Sequence, residues 1–230
     1  MAVLNYHRDY LNAVTYPESA NTDFENRLYR FLLGFGVPNT PALAIASCVP
    51  ARMKGLKYHT PVHILSIFDW ADENGIHLES WQQLSLWFHD VIYDVKAPPK
   101  RNEHQSAKFM ELMLTDYIGM ETINKASEAI KYTADHLESF VLSDEMALVL
   151  DLDICMFAWD RDRYAAATDA IAKEYLHVSS EEYAKGRTKF IKDFKGKGFI
   201  FRTRTMQKYE DQAFNNIDWE INNLKIGKIY

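Results

Sequence analysis

The sequence predicts an all-α fold, and three observations carry that reading. Apolar residues recur at helical spacing along nearly the whole chain. Glycine and proline, the strongest breakers, fall mostly between these periodic stretches. Only "GKGFIFRT", residues 196–203, reads as a short extended segment.

Each helix has its own local signals. "TDFENRLYRFLLGFG" places Phe24, Leu28, Phe31 and Leu32 on one stripe, which Gly34 and Gly36 end. "NTPALAIASCV" is expected to start with Thr40 as cap and Pro41 as first helical residue. "TPVHILSIFDWADENG" repeats the signal: Thr60 caps, Pro61 opens, Gly75 closes. "SWQQLSLWFHDVIYD" begins the next helix at Ser80. "NEHQSAKFMELMLTDYI", "ETINKASEAIKYTADHL", "SDEMALVLDLDICMFAW" and "RDRYAAATDAIAKEYL" follow. Ser180, with Glu182 and Tyr183, is expected to open "SSEEYAKGRTKFIKDF", and a tenth helix covers roughly 203–223. The rings of Trp70, Trp81, Trp87 and Trp159 are assigned to the core.

Bulk properties narrow the function classes. The 230 residues suit one domain and a sizeable core. No linker, repeat or low-complexity tract divides them. A formal net charge of −6 speaks against a nucleic-acid surface, although a local phosphate pocket remains compatible with it. Two cysteines, Cys48 and Cys155, without metal-type spacing predict buried unbridged thiols in a reducing compartment. "MAVLNYHRDY" has no apolar leader core, and no run of about 18 apolar residues predicts a membrane span. A cytoplasmic location is the expectation.

The chemistry concentrates in a few histidines and acids. In "YHTPVH", His63 falls in the first turn of its helix and His59 on the chain leading in, so the two can converge. "FHD" puts His89 beside Asp90 near the end of the next helix. Helical neighbours diverge by about 100°, so both reach one ion only at close range, or Asp90 bridges two. "LDLDI" supplies Asp151 and Asp153, either of which is expensive to bury unless paired or metal-bound. Imidazole and carboxylate ligands suit Mn, Fe, Co, Ni, Zn or Mg, as one ion or two. His77, His104 and His177 are assigned to ordinary core or surface positions. "YDVKAPPKRNE" follows "FHD" directly and is a loop placed where sites gather.

The order His, His-Asp, Asp resembles the HD superfamily of metal-dependent phosphohydrolases. Within it, "YHTPVHI", "FHDVIYD", "NEHQSA", "TADH" and "LDLDI" look like the group of predicted metal-dependent HD phosphohydrolases. The resemblance covers roughly 50–205 and extends weakly to both ends. "YHTPVH" also resembles the Tyr-His-Asn-x-x-His signature of cyclic-nucleotide phosphodiesterases, with Thr60 where those have Asn.

The resemblance implies a single HD-type helical bundle of about nine or ten helices, with helical extensions at both ends. It implies His63, His89, Asp90 and Asp153 as metal ligands, Asp153 matching the second Asp of the group's Asp-x-Asp pattern. His59 would be a general acid or phosphate contact. Asp94, one turn beyond Asp90, would orient the attacking water, a role shared with Glu103. His136 would hold a second metal or touch phosphate. Lys57, Arg52 and Lys131 are candidate phosphate contacts, and Arg187 is one of several cations on its helix. The implied reaction is attack of a metal-activated water on a phosphate monoester or diester of a nucleotide. Implied partners are that small phosphoester, no nucleic acid and no membrane; a homodimer is allowed. Three other readings stand beside it: a non-catalytic HD-fold binding protein, an all-α interaction protein with incidental histidines, and a di-iron HD-type oxygenase.

Overall fold

The computed structural model describes residues 18–138 and 141–225, and the N-terminal stretch examined for a leader lies outside them. Among the described residues are eleven α-helices, two 3-10 turns and no β-strand. Helix α1, Glu18–Gly34, follows the expected stripe: Phe24, Leu28 and Leu32 are fully buried and Phe31 is half-buried. It pairs with α2, Asn39–Arg52.

The start of α2 corrects the expected cap. Pro38 is the N-cap, with extended backbone, and its carbonyl already accepts from the Ala42 N–H. Thr40 and Pro41 therefore lie inside the first turn, where a proline costs nothing because that N–H has no helical acceptor.

Helix α3, Pro61–Glu73, is buried continuously from Pro61 to Ala71, including His63. A helix buried on every side belongs at the centre of a bundle. Thr60 caps it by its extended backbone alone, without a side-chain hydrogen bond, and Pro61 opens it. Gly75 at φ 65° turns the chain so that the Ile76 N–H reaches the Ala71 carbonyl at 2.9 Å.

Helices α4 (Ser80–Phe88), α5 (Arg101–Leu114) and α6 (Met120–Tyr132) stack on one another, α6 touching both others. A 3-10 turn, Thr133–Asp135, prolongs α6. Helix α7, Asp144–Asp153, packs on α3 and α4 and runs into a second 3-10 turn, Cys155–Ala158. Helix α8, Arg161–Glu174, and α9, Ser180–Gly196, follow. Ser180 opens α9 as expected, and Ser179 before it is the cap, in a capping box with Glu182.

The expected last helix is two: a single turn, α10 (Arg204–Gln207), and α11 (Glu210–Lys225). The segment that read as extended pairs with no strand. Its N–H groups are taken by carboxylates, those of Ile200 and Phe201 by Glu210 and those of Arg202 and Thr203 by Asp151. All four named tryptophans are buried. Cys155 is buried as expected, whereas Cys48 is half-buried; neither is bridged.

Candidate metal centre

His63 enters from the first turn of α3. His89 terminates α4, Asp90 follows it, and Asp153 is the last residue of α7. One nitrogen or oxygen from each of the four lies within 4.8 Å of all the others. His89 Nε2 is 2.9 Å from Asp90 Oδ2 and 3.1 Å from Asp153 Oδ1. His63 Nε2 is 3.6 Å and 3.5 Å from the same two oxygens. His89 keeps helical backbone angles, φ −57° and ψ −36°, so His89 and Asp90 diverge as in a helix and meet one point only at close range.

The donor set fits a cation. His89 Nδ1 lies 2.9 Å from the Leu86 carbonyl, which holds a proton there, so Nε2 is the nitrogen that either carries a second proton toward the carboxylates or gives it up to a cation. The two Nε2 atoms then face each other at 3.3 Å between two carboxylates. The ion pairs these carboxylates make among the described residues are all with histidines, none with lysine or arginine. Burial pulls both imidazoles toward neutrality, and His63 ends below its ordinary value. In His89 the charges of Asp90 and Asp153 outweigh burial and hold the ring well above its ordinary value. Asp153, which burial alone would raise, is held well below by His89, His136 and His63.

Asp151, left open beside Asp153 by spacing alone, has a different task. Its oxygens accept from the N–H groups of Arg202 and Thr203 at 2.8 Å each and from the Thr203 hydroxyl at 2.7 Å. Burial pushes its carboxyl up to about 6 against those hydrogen bonds.

Asp90 and Asp153 form part of the wall of a cavity of about 780 Å³, with His59, Glu103 and His136 also lining it. His59 is fastened by Glu174 at the end of α8. Glu174 Oε2 lies 2.6 Å from His59 Nδ1, while Oε1 accepts the N–H groups of Lys57, Tyr58 and His59 at 2.8, 2.7 and 2.9 Å. The Tyr93 ring stacks on the His59 imidazole, centroids 3.5 Å apart. Burial lowers the His59 pKa, but Asp90, Glu174 and Asp153 together raise it above its ordinary value. His136 Nε2 is 2.9 Å from Asp153 Oδ2. Glu103 Oε2 is buried without a hydrogen-bond partner among the described residues, and burial, then Asp90 and Asp153, raise its carboxyl.

Four other candidates stand apart from the cavity. Asp94 is exposed in a turn beyond α4, its Oδ1 accepting the Lys96 N–H. The helical one-turn relation to Asp90 fails because no helix joins them. Lys57 and Arg52 are exposed, the Arg52 guanidinium lying over the Phe109 ring at 4.4 Å. Lys131 pairs with Glu111 at 3.5 Å. None of the four lines the cavity. Arg187 does, but its guanidinium is paired with buried Glu220 at 2.7 Å. His77, His104 and His177 are exposed, as expected of incidental histidines.

Sequence reasoning missed Glu174, Tyr93 and Lys100. An acid in the last turn of α8 opposes the helix dipole, which is the only local sign of Glu174's role. Lys100, at φ 66° before α5, lines the cavity and pairs with Asp135 at 2.7 Å.

Comparison with family models, curated proteins and solved structures returned no match for this chain. Among the described residues no helix is long and apolar enough to cross a membrane. The fold and site define an all-α protein whose buried His/Asp cluster could hold a metal ion.

Proposed function

We propose that the protein is a metal-dependent phosphohydrolase of the HD type, cleaving a phosphate monoester or diester of a nucleotide. The observation that carries this reading is the convergence of His63, His89, Asp90 and Asp153 at the edge of a cavity. These four would hold the ion. A divalent cation there supplies electrostatic stabilisation of phosphoryl oxygens and lowers the pKa of a coordinated water.

The remaining residues supply positioning and protons. Glu174 occupies Nδ1 of His59 and leaves Nε2 to meet a ligand. The raised pKa keeps that imidazole protonated closer to neutrality, which suits a general acid donating to a departing oxygen. The unpartnered Glu103 oxygen faces a site that needs a hydrogen-bond acceptor for water. His136, bonded to Asp153, orients that carboxylate.

His136 also favours a second reading. One more imidazole beside the cluster is what a two-iron oxygenase would use, and its signs would be bound iron, colour and oxygen-dependent turnover. Elemental analysis of wild type and Asp90→Ala, with circular dichroism on both, tests the common foundation. Wild type is expected to carry one or two transition-metal ions per chain and the folded variant none. Hydrolysis of a phosphoester and nucleotide panel with Mn, Co or Ni then tests the reaction. Absence of metal from wild type, even after Mn or Ni is supplied, would remove the proposal.

A further inference from the structure

The cavity wall is divided in its chemistry. One part, the His/Asp end, carries the cluster, and Met156 belongs beside it through the Tyr58 hydroxyl. The other, the apolar end, is walled by Phe157, Ile171, Tyr183 and Phe190, with Tyr175 joining the two parts through Tyr93, which stacks on His59. Tyr175 and Tyr183 lean on each other with ring centroids 5.8 Å apart. Beside them Gly186 lines the cavity from within α9. A glycine inside a helix is costly unless something needs its bare backbone. A Cβ built on Gly186 would meet nothing within 4 Å, so no packed neighbour of the protein requires the glycine. The space it leaves belongs to the cavity.

The charges on the wall are as lopsided as its polarity. Asp90, Asp153, Glu103, Asp135, Glu138 and Glu182 contribute carboxylates. Among the described lining residues the lysine and arginine present are Lys100 and Arg187, and each is already paired, with Asp135 and Glu220 respectively. A cation held by the cluster would offset Asp90 and Asp153, and Lys100 offsets Asp135. Glu103, Glu138 and Glu182 also line the wall, Glu182 bonded to Ser179, while the imidazole of His59, supported by Glu174, serves the phosphoryl beside the cluster. A polyphosphate chain would meet repulsion on this wall, with no unpaired lysine or arginine to receive it.

We infer that the ligand of this site carries a single phosphoryl group joined to a flat apolar body, the phosphoryl lying at the His/Asp end and the body against Tyr175, Tyr183, Phe190 and Gly186. This rests on the phosphohydrolase reading and narrows its substrate class to aryl-bearing or base-bearing monophosphoryl esters, against nucleoside triphosphates. At about 780 Å³ the cavity has the size usual for such small-molecule ligands.

Binding to the full chain tests it without turnover. Isothermal titration at fixed free Mn would compare benzylphosphonate with methylphosphonate, and the non-hydrolysable methylenephosphonate analogue of adenosine 5′-monophosphate with a β,γ-methylene adenosine triphosphate. Burying the ring should make benzylphosphonate bind about ten-fold to a hundred-fold tighter than methylphosphonate. The monophosphate analogue should bind at least as tightly as the triphosphate analogue. Gly186→Leu, which fills the apolar end, should shrink the benzyl-to-methyl ratio, and so should Phe190→Ala, which removes one wall; circular dichroism would establish that each is folded. Equal affinity for the two phosphonates, or tighter binding of the triphosphate analogue, overturns the inference and leaves the phosphohydrolase reading intact. If Mn binds yet no phosphonate or nucleotide does, the phosphohydrolase reading itself fails, and this inference with it.

Discussion

Glu174 holds His59 through both of its carboxylate oxygens, one on the imidazole Nδ1 at 2.6 Å and the other on three successive backbone N–H groups. Side chain and incoming chain are thereby locked to the end of α8. Glu174→Gln keeps an acceptor for the backbone but removes the anion that supports the imidazolium. The sign of the pH effect follows from the two shifts. His59 is raised above 6.5, so its stabilisation is complete below that pH and fades as the pH climbs through the folded value. Glu174 is depressed below 4.5, so its stabilisation is present above that pH and fades as the pH falls through the folded value. The stability gap between wild type and Glu174→Gln should be widest between pH 4.5 and 6.5 and narrow on either side. Melting temperatures across that range check it; a gap that does not change with pH would mean that the pair is not ionic. Some pH dependence should survive in the variant, because Asp90 and Asp153 still act on His59.

The difference between what the residues announced and what they concealed is one of range. Periodicity located the helices because each stripe needs only its own neighbours. The His/Asp set was legible through the order His, His-Asp, Asp, and the resemblance singled out Asp153. Glu174 was not legible, since it reaches His59 across 115 positions and only tertiary packing brings them together. Asp94 misled for the opposite reason. The one-turn relation to Asp90 assumed a continuing helix, and α4 stops at Phe88. Lys57, Arg52 and Lys131 were plausible by charge alone, and charge does not say which way a residue faces.

A cation at the cluster should stabilise the fold measurably. Binding to the native state alone adds about 2.7 kcal/mol when free metal stands at 100 times its Kd. Titrating Mn into chelator-treated protein should raise the Tm of wild type stepwise. His89→Ala, which removes a ring nitrogen 2.9 Å from Asp90 and 3.1 Å from Asp153, should show little or no response. An equal rise in both would place the metal elsewhere.

Arg187 lines the cavity but serves the core. Its Nε donates to Glu220 at 2.7 Å, and the Tyr164 hydroxyl donates to the other oxygen of that carboxylate. Glu220 is fully buried, so deleting it strands the guanidinium and the hydroxyl together. Glu220→Ala should cost about 3–5 kcal/mol, the range for breaking a buried ion pair. Urea unfolding of the two proteins measures it; a loss below about 1 kcal/mol would show that water reaches the guanidinium and takes over.

Gly186 offers the reverse sign. Alanine adds a methyl group that meets no neighbour within 4 Å and removes the entropic penalty of glycine inside α9. Gly186→Ala should therefore raise stability by about 0.5–1 kcal/mol. Chemical denaturation checks this directly. A stability loss instead would mean that the backbone at Gly186 needs freedom that a helix does not ordinarily require.

Asp151 and Asp153 stand two residues apart on α7 and should fail in different ways. Asp151 is buried, and its oxygens accept the Arg202 and Thr203 N–H groups and the Thr203 hydroxyl. Asp151→Ala leaves these donors without their acceptor, at about 1–3 kcal/mol for each one that stays buried. It should therefore lower the Tm strongly yet, in whatever fraction folds, retain bound metal. Asp153 is instead surrounded by His63, His89 and His136. Asp153→Ala removes a ligand oxygen and the acceptor for His136, so metal should be lost while the segment around Arg202 keeps its hydrogen bonds. Elemental analysis and thermal melts on the two variants separate the roles. Loss of metal from Asp151→Ala with full retention in Asp153→Ala would exchange the two assignments and move the candidate centre away from the cavity wall.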